Sequence, residues 1–337
     1  MDRIPVAVVN GTGYGGVELL RLLRRHPAFE VVEVTARSEA GKPLEQVFPQ
    51  LAGFNLTFGE RVERAELVFV ALPDHAAVEL VPDLLTQGRR VLDLSAGFRL
   101  RDAKAYPTWY GYEHAVPALL EEAVYGLAEC ARDALPSARL VACPGCYPTA
   151  AVLAVLPALA NGLIDPDIIV DAKSGLSGAG RTLALGRHYS EANEDTSAYG
   201  LAGHRHWPEI LQSLEQATQQ HVRLSFTPHY VPMTRGILAT CYTKGKATTE
   251  QCLAAARRFY ANRPFVRVTD KPPHTKWATG SNLAFVNYAC DPSRNVVIAM
   301  GAIDNLGKGA AGQAVQNANL ITGQPETAGL TGAPMWP

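Results

Sequence analysis

The chain has 337 residues, 47% of them apolar and 19% charged, so it is long enough for two domains and is expected to bury a sizeable core. Its 31 basic and 32 acidic residues leave a formal net charge of −1, which gives no electrostatic footprint for nucleic acid or for an anionic membrane. No window approaches the roughly 18 uninterrupted apolar residues of a membrane span, and the opening MDRIPVAVVNGTGYGG predicts a strand and a turn rather than a signal peptide. A cytoplasmic protein is the expectation.

The first 150 residues alternate β-rich runs with helical patterns. Apolar runs predict strands at 5–10, 30–37, 66–72, 89–95 and 138–143, and 3.6-residue periodicity predicts helices at 17–26 and 75–87. Strands that alternate with helices predict a Rossmann-type, doubly wound parallel sheet of the α/β class, with right-handed crossovers.

The second half is organised differently, with several strand-like runs and few helices between them. Strands are predicted at 167–175, 222–228, 236–244, 283–290 and 295–303, and helices at 149–162, 249–263 and 308–323, the last of them amphipathic. This pattern is typical of an α+β domain with a mixed or antiparallel sheet.

A glycine-rich turn follows the first predicted strand. Gly11, Gly13 and Gly16 fit the pattern G-x-G-x-x-G, with a strand before the turn and a helix after it. In that context the pattern predicts dinucleotide binding, because the turn lets a pyrophosphate approach the backbone and the helix N-terminus favours its charge. An ordinary glycine-rich turn is the alternative. The predicted cofactor contacts in the turn are Gly11, Thr12, Gly13, Tyr14, Gly15 and Gly16.

The end of the second predicted strand indicates which dinucleotide is bound. An NAD site places Asp or Glu there to hold the ribose 2′-hydroxyl. This strand ends VTARSEAG, with Arg37 and Ser38 at that place, whereas Glu33 lies inside the strand and Glu39 lies beyond the turn. A cation and a hydroxyl suit a 2′-phosphate, so we expect NADP as the cofactor. A solvated surface charge is the alternative for Arg37.

Two of the six cysteines lie close together, in the stretch ACPGCYPT. A four-ligand zinc site needs a second pair at metal-binding spacing, which the sequence lacks, so no metal is expected. Cys146 follows a Pro-Gly turn at the start of the helix predicted at 149–162, where the helix dipole lowers a thiol pKa. Cys143, at the end of a strand, is typical of a small buried hydrophobe. A nucleophile with a bystander is favoured over a redox pair, and two structural cysteines are the third possibility.

Polar groups that could serve a nucleophilic thiol recur in three further segments. GHRHWPEI offers His204 and His206 beside Glu209, at the predicted start of a helix. SGLSGAGR, residues 174–181, places serines, glycines and an arginine after a strand, which suits hydrogen bonds to an oxyanion. DLSAGFRL offers a serine and Arg99 as a phosphate grip. Structural histidines and a flexible surface loop are the alternatives for the first two segments.

With these motifs in place, the sequence resembles the N-acetyl-γ-glutamyl-phosphate reductases of arginine biosynthesis over nearly its whole length. The five blocks that carry the resemblance are Pro144–Thr149 (PGCYPT), Ser174–Arg181 (SGLSGAGR), His204–Ile210 (HRHWPEI), 226–237 (FTPHYVPMTRGI) and 304–317 (DNLGKGAAGQAVQN). Together they are specific, although no single block is. The family is related in plan to aspartate-semialdehyde and glyceraldehyde-3-phosphate dehydrogenases, which also reduce an acyl group through a cysteine thioester.

The resemblance implies NADPH-dependent reduction of N-acetyl-γ-glutamyl phosphate to N-acetylglutamate 5-semialdehyde and phosphate, through a thioester on Cys146. It also implies that His204 is the acid and base, with His206 as its partner or as a substrate contact. The cofactor contacts that it adds are Ser177, Gly178 and Asn305, and the substrate contacts that it implies are Arg99, Ser174, Arg181, Glu209 and Arg235.

Asn305 can face the nicotinamide only if the end of the chain returns to the first domain. We therefore expect an NADP-binding domain of residues 1–147 with 308–337, and a catalytic and oligomerisation domain of residues 148–307, in a homodimer or homotetramer. Two other functions stay open. One is reduction of an acyl phosphate linked to a small acidic carrier protein, and the other is an NADP-binding redox sensor that uses Cys143 and Cys146.

Overall fold

The computed structural model describes residues 3–336 and divides them into two compact units. The first unit comprises the residues up to Pro144 with Ala310–Gly332, and the second comprises Gly145–Gly309 with the residues from Ala333 onward. The strands are β1 (Ile4–Val9), β2 (Phe29–Thr35), β3 (Phe58–Gly59), β4 (Leu67–Val70), β5 (Arg90–Asp93), β6 (Val124–Tyr125), β7 (Leu140–Ala142), β8 (Asp167–Ser174), β9 (Ser197–Ala198), β10 (Arg223–Tyr230), β11 (Ile237–Lys244), β12 (Val266–Val268), β13 (Ala284–Asp291) and β14 (Val296–Ile303). The helices are α1 (Tyr14–Leu23), α2 (Leu44–Val47), α3 (Asp74–Thr86), α4 (Ala105–Tyr110), α5 (Ala118–Glu122), α6 (Ala128–Ala131), α7 (Cys146–Ala160), α8 (Tyr189–Ala192), α9 (Trp207–Thr218), α10 (Thr249–Phe259) and α11 (Gly312–Ile321).

The first unit contains a seven-stranded sheet in the order β3-β2-β1-β4-β5-β7-β6, in which every pairing is parallel. Helix α3 packs on the sheet through Val81 and Leu84, which are buried with Ala7 and Val68 of the central strands. Helices α1 and α11 contact each other and the sheet. The strand order reverses beside β1, and in such sheets ligands bind at the carboxyl ends of the strands next to the reversal.

Helix α11 belongs to the first unit although it lies near the end of the chain. The sequence predicts an amphipathic helix here, but α11 is buried at every position except Leu320. The NH₂ groups of its amides make this possible, because they find acceptors inside the unit. Gln313 Nε2 and Asn317 Nδ2 both donate to the carbonyl of Gly126, at 3.0 and 2.8 Å. The polar run GQAVQNAN therefore forms a core helix rather than a surface one.

The second unit contains a seven-stranded mixed sheet in the order β12-β13-β14-β11-β8-β10-β9. Strands β8 and β10 pair in parallel, as do β12 and β13, and the remaining pairs are antiparallel. Along β8, Ile168, Val170 and Ala172 are buried while Ile169 between them is exposed. Helices α7, α9 and α10 contact this sheet, so its alternate residues form the core of the unit.

Helix α7 is the centre of the second unit. It contacts four strands of the sheet and both α9 and α10, and every residue from Tyr147 to Leu159 is buried. A helix that is apolar on all sides is stable only when it is enclosed in this way. A Cβ atom at Gly301 of β14 would lie 2.4 Å from the carbonyl oxygen of Ala150, so this close approach of sheet and helix requires glycine.

The predicted fold class is confirmed, with a parallel doubly wound sheet followed by a mixed sheet. Helix α7 begins at Cys146, three residues before the predicted start. The two-residue strands β3, β6 and β9 and the short helices were not predicted, because they are too short to show periodicity. Within residues 3–336, none of the helices combines the length and the apolar character that a membrane crossing requires. The assignment of domain boundaries to cofactor and substrate binding stays a prediction.

Candidate active site

The thiol of Cys146 lies at the N-terminus of α7. Cys146 is the first helical residue and is half-buried, and Gly145 precedes it as the N-cap in an extended conformation. The unpaired N–H groups of a first helical turn favour negative charge. The position therefore suits a thiolate.

The turn before Cys146 is held by Glu209. The carboxylate Oε1 of Glu209 accepts the N–H of Gly145 at 2.6 Å, and the side chain is fully buried. Glu209 also lies in the first turn of α9, where the helix dipole favours its charge. In the structure Glu209 joins the starts of α7 and α9 and fixes the loop that carries the thiol, and the substrate contact that the resemblance implies for it stays a prediction.

A glycine from the loop after β14 packs directly on Cys146. A Cβ atom at Gly309 would lie 2.8 Å from Cβ of Cys146, so no larger residue fits without movement. The N–H of Gly309 donates to the carbonyl of Asp304 at 2.9 Å, which closes the loop on itself. The backbone beside the thiol is therefore fixed from a segment distant in sequence.

His204 and His206 lie together beside Tyr147. The two imidazole centroids are 4.9 Å apart, and the ring of Tyr147 lies 5.7 and 5.9 Å from them. Nδ1 of His204 accepts the N–H of His206 at 3.0 Å, which places the proton of the neutral ring on Nε2. Burial, helped by the charge of Arg205, lowers the pKa of His204 to about 4. His204 is therefore neutral at pH 7, with Nε2–H as a hydrogen-bond donor.

Two tyrosines that sequence reasoning missed support this pair. The hydroxyl of Tyr199 donates to that of Tyr147 at 3.2 Å, and the hydroxyl of Tyr147 donates to the carbonyl of His229 at 3.1 Å. The ring of Tyr199 stacks on Tyr230 at 3.9 Å and meets His204 edge-on at 5.3 Å. Tyr147 could have been found, since it follows the cysteine in PGCYPT, whereas nothing in the spacing indicates Tyr199.

The serine-rich segment after β8 forms a tight turn, and four of the predicted site residues converge there. Asn305 Nδ2 donates to Ser177 Oγ at 2.9 Å, and Asn305 Oδ1 accepts the N–H of Gly236 at 2.8 Å. A Cβ atom at Gly178 would lie 3.1 Å from Ser174 Oγ and 3.6 Å from Asn305 Nδ2. The amide of Asn305 thus links this turn to Gly236, just before β11. Its contact with the nicotinamide stays a prediction, as do the roles of Ser177 and Gly178.

The two arginines of the second unit that were predicted to bind substrate have different surroundings. Arg235, just before β11, is 23% exposed, and its Nη1 lies 3.3 and 3.5 Å from the two carboxylate oxygens of Asp304. Arg181 follows the serine-rich turn and is exposed. The buried carboxylate of Asp304 therefore orients the guanidinium of Arg235.

The glycine turn of the first unit connects β1 to α1. A Cβ atom at Gly11 would lie 2.4 Å from Val34 Cγ2, and one at Gly16 would lie 2.5 Å from the carbonyl of Asn10. At Gly13, the N-cap of α1, the nearest atom would be 3.6 Å away. The protein itself requires glycine at 11 and 16, whereas Gly13 leaves space in front of a helix N-terminus, which fits a pyrophosphate. The other predicted turn residues lie at the same helix start: Thr12, Tyr14 (41% exposed) and Gly15.

Asn10 orders this turn, and sequence reasoning missed it. Its φ is 63°, and its Nδ2 donates to the carbonyl of Ala71 after β4 at 2.8 Å. The N–H of Gly11 donates to the carbonyl of Thr35 at the end of β2, at 2.9 Å. The turn is thus tied to both neighbouring strands. An asparagine between a strand and a glycine was the available signal, since Asn tolerates a left-handed conformation.

Arg37 and Ser38 follow β2 and are both exposed. Glu33, the acid inside β2, is occupied elsewhere, because its carboxylate accepts the N–H groups of Glu63, Arg64 and Ala65 at 2.9 to 3.1 Å. The end of β2 therefore offers a cation and a hydroxyl, which suits a 2′-phosphate better than a 2′-hydroxyl.

Arg99 is buried in the first unit rather than exposed as a simple phosphate grip. Its Nε donates to the carbonyl of Cys143 and its Nη2 to that of Leu94, both at 2.8 Å. Nearby, the buried carboxylate of Asp93 accepts the N–H and the Oγ–H of Ser95, at 2.9 and 2.7 Å. Burial raises the pKa of Asp93 to about 6. These groups order the protein's own backbone, and a substrate contact of Arg99 stays a prediction.

Cys143 is fully buried, and burial raises the pKa of its thiol to about 12. Asn317 Nδ2 donates to its sulfur at 3.8 Å. All six cysteines carry free thiols. A thiol in these surroundings is neither a nucleophile nor an accessible switch. In the part of the chain from residue 3 to 336, no three His, Cys, Asp or Glu side chains are grouped so that they could hold a metal ion.

Comparison with known proteins supports the family that the sequence motifs indicate. Residues 5–138 match the family model described as semialdehyde dehydrogenase, NAD binding domain, and residues 146–305 match that described as semialdehyde dehydrogenase, dimerisation domain. The chain is 49% identical over 334 residues to the N-acetyl-gamma-glutamyl-phosphate reductase of Dehalococcoides mccartyi strain CBDB1, with 98% of each chain covered. It is 48% identical over 338 residues to the protein of that name from Halorhodospira halophila, again with 98% of each covered. The chain belongs to the N-acetyl-gamma-glutamyl-phosphate reductase family.

Solved structures similar to this reductase-family chain are more distant in sequence. Aspartate semialdehyde dehydrogenase II from Vibrio cholerae, complexed with ASA, is 16% identical with a TM-score of 0.72, and 96% of this chain and 99% of that one are covered. The aspartate semialdehyde dehydrogenase with NADP from Candida albicans is 14% identical with a TM-score of 0.69, and the covered shares are 95% and 99%. At these identities the likeness shows the fold alone.

Proposed function

We propose that this protein catalyses the NADPH-dependent reduction of N-acetyl-γ-glutamyl phosphate to N-acetylglutamate 5-semialdehyde and inorganic phosphate. The observation that carries the proposal is the placement of Cys146, whose half-buried thiol begins α7 in a loop fixed by Glu209 and Gly309. The free acyl phosphate is favoured as the substrate because relatives with the reductase name are 46–49% identical over nearly the whole chain.

The reaction that this site supports begins with the thiolate of Cys146. Its sulfur attacks the γ-acyl carbon, the bond between that carbon and the phosphate oxygen breaks, and inorganic phosphate leaves a thioester behind. NADPH supplies a hydride to the thioester carbon. The resulting thiohemiacetal anion expels the sulfur, which releases the aldehyde and restores the thiolate of Cys146. The departing phosphate takes the proton that the base removed from Cys146, and solvent supplies the next proton to the site, so atoms and charges balance.

The two histidines divide the remaining tasks between them. His204 is neutral and its Nδ1 is occupied by the N–H of His206, so its Nε2–H is suited to donate to the oxyanion that forms at the acyl carbon. We therefore assign the uptake of the Cys146 proton to His206. This refines the expectation from the resemblance, in which His204 is the acid and base.

NADP fits the first unit through two features of its own residues. The space in front of Gly13 at the N-terminus of α1 suits the pyrophosphate. The exposed pair Arg37 and Ser38 suits the 2′-phosphate, while Glu33 is held by three backbone N–H groups and cannot bind a 2′-hydroxyl. The chain thereby favours NADPH over NADH.

The assembly we propose is a homodimer or homotetramer whose interface is the open face of the second sheet. Ile169, Tyr242 and Ile298 form a cross-strand row on that face, and the first two are 51% and 37% exposed. Exposed apolar patches of this kind mark protein contacts, and the family model that covers 146–305 is a dimerisation domain. Light scattering should give a multiple of the 36.2 kDa chain mass for the wild type and a smaller species for Ile169→Glu. A monomeric wild type would contradict this.

The location we propose is the cytoplasm. All six thiols are free, and the proposed nucleophile is one of them, so the enzyme needs a reducing compartment.

The test of the function is the reverse reaction. Purified protein with N-acetylglutamate 5-semialdehyde and NADP⁺ should form NADPH only when inorganic phosphate is added. Cys146→Ser should be inactive in the same assay. Turnover that appears only with a carrier-linked semialdehyde would favour the carrier-dependent reductase, and no turnover with either substrate would overturn the proposal.

A further inference from the structure

Asp304 is a fully buried acid that accepts hydrogen bonds from three backbone N–H groups in two segments. Its Oδ1 accepts the N–H groups of Leu306 and Gly307 at 2.8 and 2.9 Å, and its Oδ2 accepts the N–H of Gly280 at 2.6 Å. Arg235 Nη1 lies 3.3 Å from Oδ2. A buried carboxylate with this many donors is a fixed anchor, because moving it would leave several buried polar groups unsatisfied.

The Asp304 anchor links two segments, the loop that ends at Gly309 and the segment that contains Arg235. On one side it orders the loop that ends at Gly309, whose backbone packs on Cys146. On the other side it holds the guanidinium of Arg235, which is 23% exposed. The neighbouring Asn305 links Gly236, next to that arginine, to Ser177 of the serine-rich turn. Asp304 thus belongs to the loop whose Gly309 packs on Cys146, and it also orients the partly exposed guanidinium of Arg235.

We propose that Asp304 is a positioning residue that aims Arg235 at an oxyanion of the substrate. A guanidinium binds a carboxylate or a phosphate through parallel N–H groups, and that geometry is productive only when the fork is held in a fixed orientation. The oxyanion is either the α-carboxylate or the phosphate, since both are present in the proposed reaction. The inference rests on the proposed function and deepens it.

Asp304→Asn tests this role. The two N–H groups on the Oδ1 side keep the amide oxygen there, so the new NH₂ group faces the N–H of Gly280 and the guanidinium of Arg235. The loop toward Gly309 therefore keeps its hydrogen bonds, while Arg235 loses the nearer of the two Asp304 oxygens and the N–H of Gly280 loses its acceptor. In the reverse assay, the KM of the reactant that Arg235 contacts should rise about 10- to 100-fold, the usual effect of losing one hydrogen bond to a charged group.

The identity of the oxyanion follows from which KM moves. A higher KM for the semialdehyde assigns the α-carboxylate, and a higher KM for phosphate assigns the phosphate. In the first case, 4-acetamidobutanal, which lacks the carboxylate, should be turned over equally by wild type and variant. The KM of NADP⁺ should be unchanged in either case. Asp291→Asn, at the end of β13, is the matched control and should behave as the wild type.

Arg235→Met removes the other partner of the pair, and its KM values can be measured whether or not Asp304→Asn folds. It should raise the same KM by a similar factor, and the double variant should show no further loss, because Asp304 acts through Arg235. A fall in kcat or in thermal stability with all KM values unchanged would overturn the inference. So would additive effects of the two substitutions. A wild type without activity on the semialdehyde would instead contradict the proposed function, so the two failures are distinguishable.

Discussion

The glycine turn of the first unit and the thiol region of the second are built in opposite ways. The turn is one continuous segment from Asn10 to Gly16, and its shape is fixed by backbone contacts that only glycine allows. The thiol region is assembled from five separate segments, and its contacts are made mainly by side chains: 145–147, 174–178, 199–209, 226–235 and 304–309. A site of the first kind is specified by spacing. A site of the second kind is specified by which side chains meet after folding.

The largest expected effect separates the two cysteines of ACPGCYPT. Cys146→Ser should lower kcat by about 10⁴-fold, because it removes the nucleophile itself. Cys143→Ser should keep most of the activity, since Cys143 is a buried residue that accepts a hydrogen bond from Asn317. Steady-state kinetics of both variants provides the measurement. Equal losses in the two would revive the redox pair.

The next effect separates the two histidines. His204→Asn and His206→Asn should each lower kcat by about 10²- to 10⁴-fold. Only His206→Asn should also remove the inflection that the proton-accepting group gives to the kcat–pH profile. Burial disfavours the charged form of His204 and lowers its pKa from 6.5 to about 4, outside the range of a base that works near neutral pH. If His204→Asn is the variant that loses the inflection, the division of roles is reversed.

Burial of neutral His204 also has a consequence for stability in acid. Its folded pKa of about 4 lies below the unfolded value of 6.5, so the unfolded chain binds more protons in this interval. Its contribution to stability is therefore present above pH 6.5 and is lost as the pH falls toward 4. The unfolding midpoint in urea should drop more steeply over this range for the wild type than for His204→Asn. Parallel curves for the two proteins would show that the ring is not buried as described.

Cofactor choice is expected to depend on Arg37. Arg37→Ala should weaken NADPH binding about 10- to 100-fold and leave NADH binding nearly unchanged, since only NADPH carries the 2′-phosphate. Arg25→Ala, at another exposed arginine just after α1, is the control and should alter neither affinity. Titration of both cofactors by fluorescence measures this. A loss of equal size for NADH would remove Arg37 from the site.

The glycines of the turn should differ from one another. Gly13→Ala should weaken NADPH binding roughly tenfold, about 1.4 kcal/mol, without a change in thermal stability, because its Cβ has room within the protein. Gly16→Ala should lower stability by about 1–3 kcal/mol, because its Cβ would meet the carbonyl of Asn10. Gly186→Ala, at an open position, should change neither. Unfolding and NADPH titration together decide, and a destabilised Gly13→Ala would contradict the steric account.

The smallest effect is expected from Tyr199→Phe. The change removes the hydroxyl that donates to Tyr147 but keeps the ring that stacks on Tyr230. One neutral hydrogen bond contributes about 0.5–1.5 kcal/mol, so kcat should fall only about two- to tenfold. Tyr199→Ala should cost more, since the ring contact with His204 is lost too. Equal kinetics of the Phe and Ala variants would mean that the ring does not position His204.

The sequence predicted the sheet and the glycine turn of the first unit better than the arrangement of the thiol region. The alternation of strands and helices predicted the parallel sheet, and G-x-G-x-x-G with Arg37 predicted the cofactor turn, because both depend on local spacing. Helix α11 was expected to be amphipathic. Its burial could not be predicted, because Gln and Asn side chains usually lie at the surface and their acceptor in the fold, the carbonyl of Gly126, cannot be read from the sequence.

The thiol region was predicted residue by residue and not as an arrangement. PGCYPT and HRH identified Cys146 and the histidines, but no spacing relates Glu209 to Gly145 or Asp304 to Arg235. The substrate contacts that the resemblance implies for Glu209 and Arg99 stay predictions, but the sequence did not show that both side chains also bind backbone groups of the protein itself. Residue type suggests chemistry, but only the fold shows which groups are already paired.

The central claim is that Cys146 carries the acyl group during turnover. The most direct measurement is to mix the enzyme with N-acetyl-γ-glutamyl phosphate in the absence of NADPH, quench it in acid and map the peptide that holds both Cys143 and Cys146 by mass spectrometry. The account predicts one N-acetylglutamyl group, bound as a thioester to Cys146, that disappears when NADPH is added before the quench. An unmodified Cys146, or an acyl group on Cys143, would contradict it.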